Sequence, residues 1–458
     1  MNRDFIEMLQ QTGRFGEGKK SLIVTLGCQM NEHDSEVIAA ILENIGYSST
    51  IEAAEADLII INTCAVRKKP EDKVASLLGK YALLKEENKD LIIAVGGCMT
   101  QQDELAKYIK ERFHHVNLVF GTHALPRLPQ LLAETLHTKC TLVDIEADQI
   151  GREGLPVSHK SAYHAWLPVI YGCNNYCSYC VVPYVRGRER SRDMHDILAE
   201  ARSLAAEGYL EITLLGQNVN SYGHDLKGKY NFSNLLAELD LIEGLQRIRF
   251  MTSHPKDLSP QLIETVRQGK KLCEHFHLPV QAGSNRILDL MNRGYHNDEY
   301  LELIYSVNQA IPGVSITSDF IIGFPGEEEE DFLESVKLLE KARFDNAFSF
   351  IYSPRGKTAA AKMRDNVTPA KKEQRLQRLN SIQHQISREK NHLLINTSVE
   401  LLVEGVSKTN SSMLTGRTRT NKLVHFSSRD DLVGNLVRVN ITGARTWNLV
   451  GELEGESC

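Results

Sequence analysis

Three times in its first hundred residues the chain closes a short β-branched run on a cysteine: SLIVTLGC at Cys28, DLIIINTC at Cys64 and DLIIAVGGC at Cys98. A polar, helix-like stretch follows each run, over 31–45, 70–87 and 101–112. Apolar runs of this length alternating with such stretches predict βα units around a buried parallel sheet, a Rossmann-like α/β domain over 20–150. Ligands of open α/β sheets collect at the carboxyl ends of the strands. All three thiols fall there, 36 and 34 residues apart. One such cysteine is ordinarily a small buried hydrophobe; three in equivalent positions favour a shared metal site.

A second trio is compact. YGCNNYCSYCVVPY (171–184) brings Cys173, Cys177 and Cys180 together with no fourth ligand at a usual spacing. Thiolates at i, i+4 and i+7 can hold three irons of a four-iron cube and leave the fourth open to a small molecule. Zinc is the alternative, although a structural zinc site prefers four protein ligands. Nine cysteines, an odd count, argue against a disulfide framework and for ligation or catalysis. The N-terminal MNRDFIEMLQ lacks an apolar secretion signal and no apolar run is long enough for a membrane span, so a cytoplasmic location is expected. A net charge of −6 gives no global pull toward nucleic acid; such binding would need local basic patches.

Residues 141–162, with acidic, Gly and Pro content, read as a linker. Strand candidates then recur at 166–171, 211–216, 247–252, 275–280, 314–322 and 347–352, with helical patterns between most of them. Six βα-type repeats suit an open partial (β/α)6 barrel over 155–392. One long helix is expected from Thr368, a capping residue, and Pro369, with an apolar stripe of Leu376, Leu379, Ile382 and Ile386. Short strands broken by Gly, Ser and Asn then predict a small antiparallel, OB-like barrel over 393–458.

The loop CNNYCSYC is similar to the CxxxCxxC loop of radical S-adenosylmethionine (SAM) enzymes. GCQMNEHDSE (27–36), NTCAVR (62–67), GGCMTQ (96–101), PYVRGRERSR (183–192), LPVQAGSNRIL (278–288), MNRGY (291–295) and SDFIIGFPGE (318–327) resemble the methylthiotransferases, and within them the MiaB-type tRNA branch. The resemblance spans residues 20 to 455 in family order. It implies an N-terminal methylthiotransferase domain, a radical-SAM core and a C-terminal TRAM domain that binds RNA. It implies two [4Fe-4S] clusters, one on Cys173, Cys177 and Cys180 and an auxiliary one on Cys28, Cys64 and Cys98, with SAM both as methyl donor and as source of a 5′-deoxyadenosyl radical. Cys140, Cys273 and Cys458 match no ligand position.

The implied reaction replaces C2–H of N6-isopentenyladenosine, beside the anticodon at tRNA position 37, by C2–SCH3. Rival substrates are N6-threonylcarbamoyladenosine and a ribosomal-protein aspartate. A rival of another class is a non-catalytic iron–sulfur RNA-binding redox sensor. Implied partners are the tRNA anticodon stem-loop and an electron donor such as a flavodoxin or ferredoxin, with a monomer as the default. Gln217, Asn218, Ser253, His254, Gln281 and Ser284 resemble residues lining the SAM and substrate pocket, Asp319 is a further candidate, and backbone at Ile322 and Gly323 is expected near the adenine of SAM. For RNA, the candidates are Arg186, Arg188, Arg190 and Arg192, then Lys371, Lys372, Arg375, Arg378, Arg388 and Lys390 on the long helix. Arg417, Arg419, Lys422, Arg438 and Arg445 follow in the barrel, where Phe426 and Trp447 are either stacking groups or core.

Overall fold

A computed structural model describes residues 3–65, 68–146, 152–408, 410–428 and 430–455; Cys458 lies outside them. Contacts divide the chain into two units. The first comprises 1–160, 171–192 and 353–361, and the second 161–170, 193–352 and 362–458. The segments 171–192 and 353–361 therefore group with the N-terminal unit and not with the barrel that precedes and follows them.

In the first unit, α1 (Arg3–Thr12) precedes β1 (Lys20–Leu26), α2 (Gln29–Asn44), β2 (Ser48–Ser49), β3 (Leu58–Thr63), α3 (Lys68–Glu87), β4 (Ile92–Gly97), α4 (Asp103–Arg112), β5 (Leu118–Phe120), α5 (Leu128–Thr135) and β6 (Leu142–Asp144). The six strands form one parallel sheet, in the order β2-β1-β3-β4-β5-β6. All six residues of LIIINT in β3 are buried. Leu58 and Ile60 enter one core with α2 and α5, while Ile59 and Ile61 enter the other with α3 and α4. Burial on both faces is why this strand reads as an unbroken apolar run.

The expected linker contains a strand and several ion pairs. Leu142–Asp144 forms the edge strand β6, and Arg127 binds Asp144 through two hydrogen bonds of 2.9 and 2.7 Å. Further on, Arg152 pairs with Asp34 at 2.6 Å, His159 lies 3.2 Å from Glu36 and Lys160 pairs with Glu32 at 2.8 Å. The acidic residues of α2 thus hold this segment down. Two short strands, β8 (Ile170–Tyr171) and β9 (Arg190–Ser191), and the helix α6 (Val182–Val185) flank the compact cysteine loop.

The second unit opens with β7 (His164–Pro168). It continues through α7 (Met194–Ala206), β10 (Glu211–Leu215), α8 (Phe232–Asp240), β11 (Arg247–Phe250), α9 (Pro260–Gln268), β12 (His275–His277), α10 (Asn285–Leu290), α11 (Asn297–Ala310), β13 (Ser315–Ile322), α12 (Glu329–Ala342), β14 (Asn346–Ile351) and α13 (Pro369–His392). β7, β10 and β11 pair in parallel, as do β12, β13 and β14, and a parallel bridge from Ile248 to Leu272 connects the two sets. This is the expected run of six parallel strands. Thr368 caps α13 by accepting from the Lys371 N–H at 3.3 Å.

The C-terminal strands β15 (Ser398–Val406), β16 (Leu414–Thr418), β17 (Leu423–Ser427), β18 (Leu436–Ala444) and β19 (Leu449–Leu453) close into a barrel. One pairing departs from the antiparallel expectation, because β17 and β19 run parallel. Phe426 is fully buried in its core with Leu401, Val439 and Ile441, whereas Trp447 is 54% exposed. Two arginines of β11 hold the barrel. Arg247, 0% exposed, pairs with Glu400 at 2.8 Å and donates to the Arg417 carbonyl at 2.8 Å. Arg249 donates to the Thr418 carbonyl at 2.7 Å. Among the described residues no helix is long and apolar enough to cross a membrane.

Candidate functional site

Sheet register brings the scattered trio together. Leu26 pairs with Thr63 and Thr63 with Gly97, so Cys28, Cys64 and Cys98 leave three adjacent strand ends spaced about 5 Å apart. The strand order reverses direction between β1 and β3, which makes this end of the sheet the crevice where such folds bind ligands. Two glycines make room for the cysteines. A Cβ on Gly27 would lie 2.8 Å from the Cys64 Cβ, and Gly97, at φ +104°, would bring a Cβ within 2.4 Å of the Thr63 carbonyl. Asn31 braces the crevice, donating to the Asn62 side chain at 3.2 Å and accepting from the Cys28 thiol at 3.3 Å.

The thiols differ electrostatically. A hydrogen bond from Cys64, aided by the charge of Arg186, lowers Cys28 against the upward push of burial. Burial pushes Cys98 up. Arg186 reaches Cys98 directly, its Nε donating to Sγ at 2.9 Å while Nη2 sits 2.7 Å from an Asp34 oxygen. Neither Asp34 nor Arg152, which holds its other oxygen, was singled out from the sequence. Asp34 lay inside the quoted HDSE motif, and its spacing from Arg186 carries no local signal.

The compact trio sits in the same unit. Cys173 and Cys177 are buried and Cys180 is half-buried. Cys173 N–H donates to the Gly187 carbonyl at 3.3 Å and Cys180 N–H to the Cys177 carbonyl at 2.9 Å. Among the described residues no three His, Cys, Asp or Glu converge as a single-ion site would require. An iron–sulfur cube asks for something else, since each thiolate takes a different iron. Three thiols on adjacent strand ends suit that donor pattern. Of the other cysteines, Cys140 is exposed and Cys273 is buried in the second unit.

In the second unit the polar candidates gather at the carboxyl ends of β10, β11, β12 and β13, with unequal freedom. Ser253 Oγ and His254 Nε2 are buried without a hydrogen-bond partner. Burial, with Arg293 and Lys256 nearby, lowers His254 to about 2, so it is neutral. Thr252 (φ +66°) and Gln281 (φ +74°) hold left-handed backbone, a strain that concentrates at functional sites and was not visible in sequence. Gln217 is half-buried. Asn218 is a brace, donating to Asp257 at 2.7 Å and accepting from the His254 N–H at 2.9 Å. The Ser284 hydroxyl donates to Asp331 at 2.6 Å. Asp319 lies 3.6 Å from His277. At the expected adenine contact, Gly323 N–H already donates to Glu327 at 3.0 Å and the Ile322 carbonyl accepts from Tyr352 N–H at 2.8 Å.

The basic candidates need correction. Arg186, Lys372 and Arg375 are buried and do not belong to an exposed cationic face. Lys372 pairs with Asp365 at 2.6 Å and Arg375 with Glu327 at 2.6 Å, which gives α13 a polar buried side beside Leu379 and Ile386. Arg192 is also buried. Arg419 forks onto Glu274 at 2.7 Å, Arg417 pairs with Glu404 at 3.0 Å, Lys422 pairs with Asp345 at 2.7 Å, and so does Lys390 at 2.5 Å. Arg188, Lys371, Arg378, Arg388, Arg438 and Arg445 are exposed, and Arg190 is half-buried.

Comparison with known proteins agrees with this layout. Residues 20–121 match an uncharacterized protein family, UPF0004, residues 167–339 the radical SAM superfamily and residues 393–453 the TRAM domain. A tRNA-2-methylthio-N(6)-dimethylallyladenosine synthase of Natranaerobius thermophilus is 51% identical over 97% of this chain and 99% of its own length. The protein of the same description from Carboxydothermus hydrogenoformans is 52% identical over 95% and 99%. Among solved structures, the radical SAM methyltransferase TsrM of Kitasatospora setae shares the fold, with a TM-score of 0.55 at 15% identity over 75% of each chain.

Proposed function

The chain belongs to the family of tRNA-2-methylthio-N(6)-dimethylallyladenosine synthases, radical SAM enzymes, and we propose that it methylthiolates C2 of N6-isopentenyladenosine beside the anticodon of tRNA. In this reading residues 20–150 carry an auxiliary [4Fe-4S] cluster on Cys28, Cys64 and Cys98. Residues 155–392 carry the SAM-binding cluster on Cys173, Cys177 and Cys180, and residues 393–458 bind RNA. The observation that carries it is the placement of two three-thiol sets in one unit, one of them aligned by sheet register across the crevice of the fold. The clusters and SAM supply when bound the radical that opens an unactivated C–H bond and the sulfur that replaces the hydrogen, chemistry that no side chain provides.

The chain's own part is to hold and orient. Gly27 and Gly97 let three strand ends approach, and the Asn31 side chain holds Cys28 by accepting from its thiol. Arg186 offers an N–H and a positive charge to the Cys98 sulfur, the kind of outer contact that tunes a cluster. At the barrel strand ends, Ser253 and His254 keep an unused hydroxyl and ring N–H for a polar ligand, which SAM would satisfy. Arg378, Arg388 and Arg438 offer exposed charge for the RNA, and Trp447 offers an exposed ring for stacking. A one-electron donor of the flavodoxin or ferredoxin class completes the cycle, and the enzyme is a cytoplasmic monomer.

Anaerobic reconstitution with iron and sulfide tests the reading. Wild-type protein should bind about eight irons, the content of two cubes, and convert isopentenyl-modified tRNA to its 2-methylthio product, scored by nucleoside mass spectrometry. Replacing Cys28, Cys64 and Cys98 together by Ala should halve the iron and abolish methylthiolation while SAM cleavage persists. Full iron in that variant, or conversion only of threonylcarbamoyl-modified tRNA by the wild type, would overturn the assignment.

A further inference from the structure

Beside the scattered cysteines, in the first unit, lies a pocket lined by Thr122, His123, Arg152, Tyr171, Arg186, Arg188 and Arg190. Its four guanidiniums face two carboxylates, Asp34 and Glu153. Arg186 forms the floor. It is 5% exposed, with Nε spent on Cys98 and Nη2 on Asp34, and its Nη1 is buried without a hydrogen-bond partner. A buried, unsatisfied cationic donor costs free energy that a bound anion would recover. Arg152 and Arg190 stack on the Tyr171 ring, their guanidinium carbons 5.6 and 5.2 Å from its centroid. The ring thereby aligns two planar forks, and Arg188 is exposed beside them. His123 reports the surplus of charge. Burial, then Arg152, Arg186, Arg190 and Arg127, lower it to about 4, so the imidazole is neutral and leaves the positive field to the arginines.

Planar guanidinium forks lining one pocket match the oxygens of a phosphate. We propose that this pocket is a phosphate subsite that takes one backbone phosphodiester of the tRNA substrate, an inference that rests on the tRNA reading above. RNA is favoured over a free anion because the pocket shares Arg186 with Cys98. A phosphate seated there anchors the strand next to the sulfur site to which the base must be brought. Such a contact fixes register and orientation and reads no sequence.

The test uses the full-length, anaerobically reconstituted protein and a labelled anticodon stem-loop. The variants are Arg188→Gln with Arg190→Gln, and Arg188→Lys with Arg190→Lys as the charge-retaining control. The Gln pair should bind roughly tenfold more weakly, the worth of one charge-assisted hydrogen bond. Its slope of log affinity against log salt should be shallower by about 0.7 to 1, and the Lys pair should keep most of that slope. In stem-loops carrying one methylphosphonate each, a single position should weaken the wild type and add nothing to the Gln pair. Unchanged affinity in the Gln pair, or equal methylphosphonate penalties in both proteins at every position, would overturn the proposal while leaving the tRNA reading intact. So would inorganic phosphate raising the melting temperature of the wild type only, with RNA binding unaltered, which would mark a free-anion site. A wild type that binds no stem-loop would overturn both.

Discussion

Asp34→Asn is the most informative single change, because it keeps the side-chain shape and removes the carboxylate charge that pairs with both Arg152 and the buried Arg186. Burial alone would raise the Asp34 carboxyl, but Arg152 and Arg186 more than reverse this and hold it at about 2 against a usual 3.8. That difference corresponds to about 2 kcal/mol. Leaving Arg186 buried without its carboxylate brings the expected loss to about 3 to 5 kcal/mol. The sign follows from the depressed value. The contribution is fully present above about pH 4 and is lost as pH falls from 3.8 toward 2. Wild type and variant should therefore differ by a constant amount from pH 8 to pH 5. Two units make a single melting curve a poor measure, so the assay is native-state hydrogen exchange on the amides of α2, β1 and β3, which report the first unit alone. A variant within 0.5 kcal/mol of wild type, or a gap that narrows between pH 8 and pH 5, would refute the claim that Asp34 is the ionised hub of this network.

Ser253→Ala removes a hydroxyl with no partner, so stability should stay within about 0.5 kcal/mol while SAM affinity by calorimetry falls roughly tenfold; the opposite pattern would make Ser253 structural. Gly97→Ala forces a Cβ to within 2.4 Å of the Thr63 carbonyl in left-handed backbone, and should cost about 1 to 3 kcal/mol by denaturant titration and lower the iron bound at the scattered trio. Arg247→Met leaves Glu400 and the Arg417 carbonyl without their partner; limited proteolysis should then release the C-terminal barrel sooner, and tRNA affinity should drop with SAM cleavage retained.

What could be read from sequence was what local chemistry dictates. LIIINT announced a strand buried on both faces, Thr368 and Pro369 announced a helix start, and three strand-end thiols announced a shared crevice. What escaped depended on partners remote in the chain. Lys372 and Arg375 looked like solvent-facing charge because Asp365 and Glu327 cannot be assigned to them from a helical pattern. Arg186 looked like solvent-facing charge because nothing local reveals that Asp34 and Cys98 enclose it. The parallel pairing of β17 with β19 was hidden for the same reason, since turn residues between successive strands speak only for neighbours. At the barrel strand ends, side-chain type located the polar cluster, but only three-dimensional hydrogen bonding separated the braces Asn218 and Ser284 from the unsatisfied Ser253 and His254.

The grouping of residues 171–192 with the N-terminal unit matters to anyone wishing to cut or graft this protein. A fragment ending at residue 160 retains only one thiol set, and a fragment beginning at 161 separates the other from the unit it belongs to. Exchange of the N-terminal domain between relatives would meet the same difficulty, because the compact loop would have to be exchanged with it. The heritable module is a discontinuous stretch of polypeptide, and a chimera designed on linear domain borders would divide it.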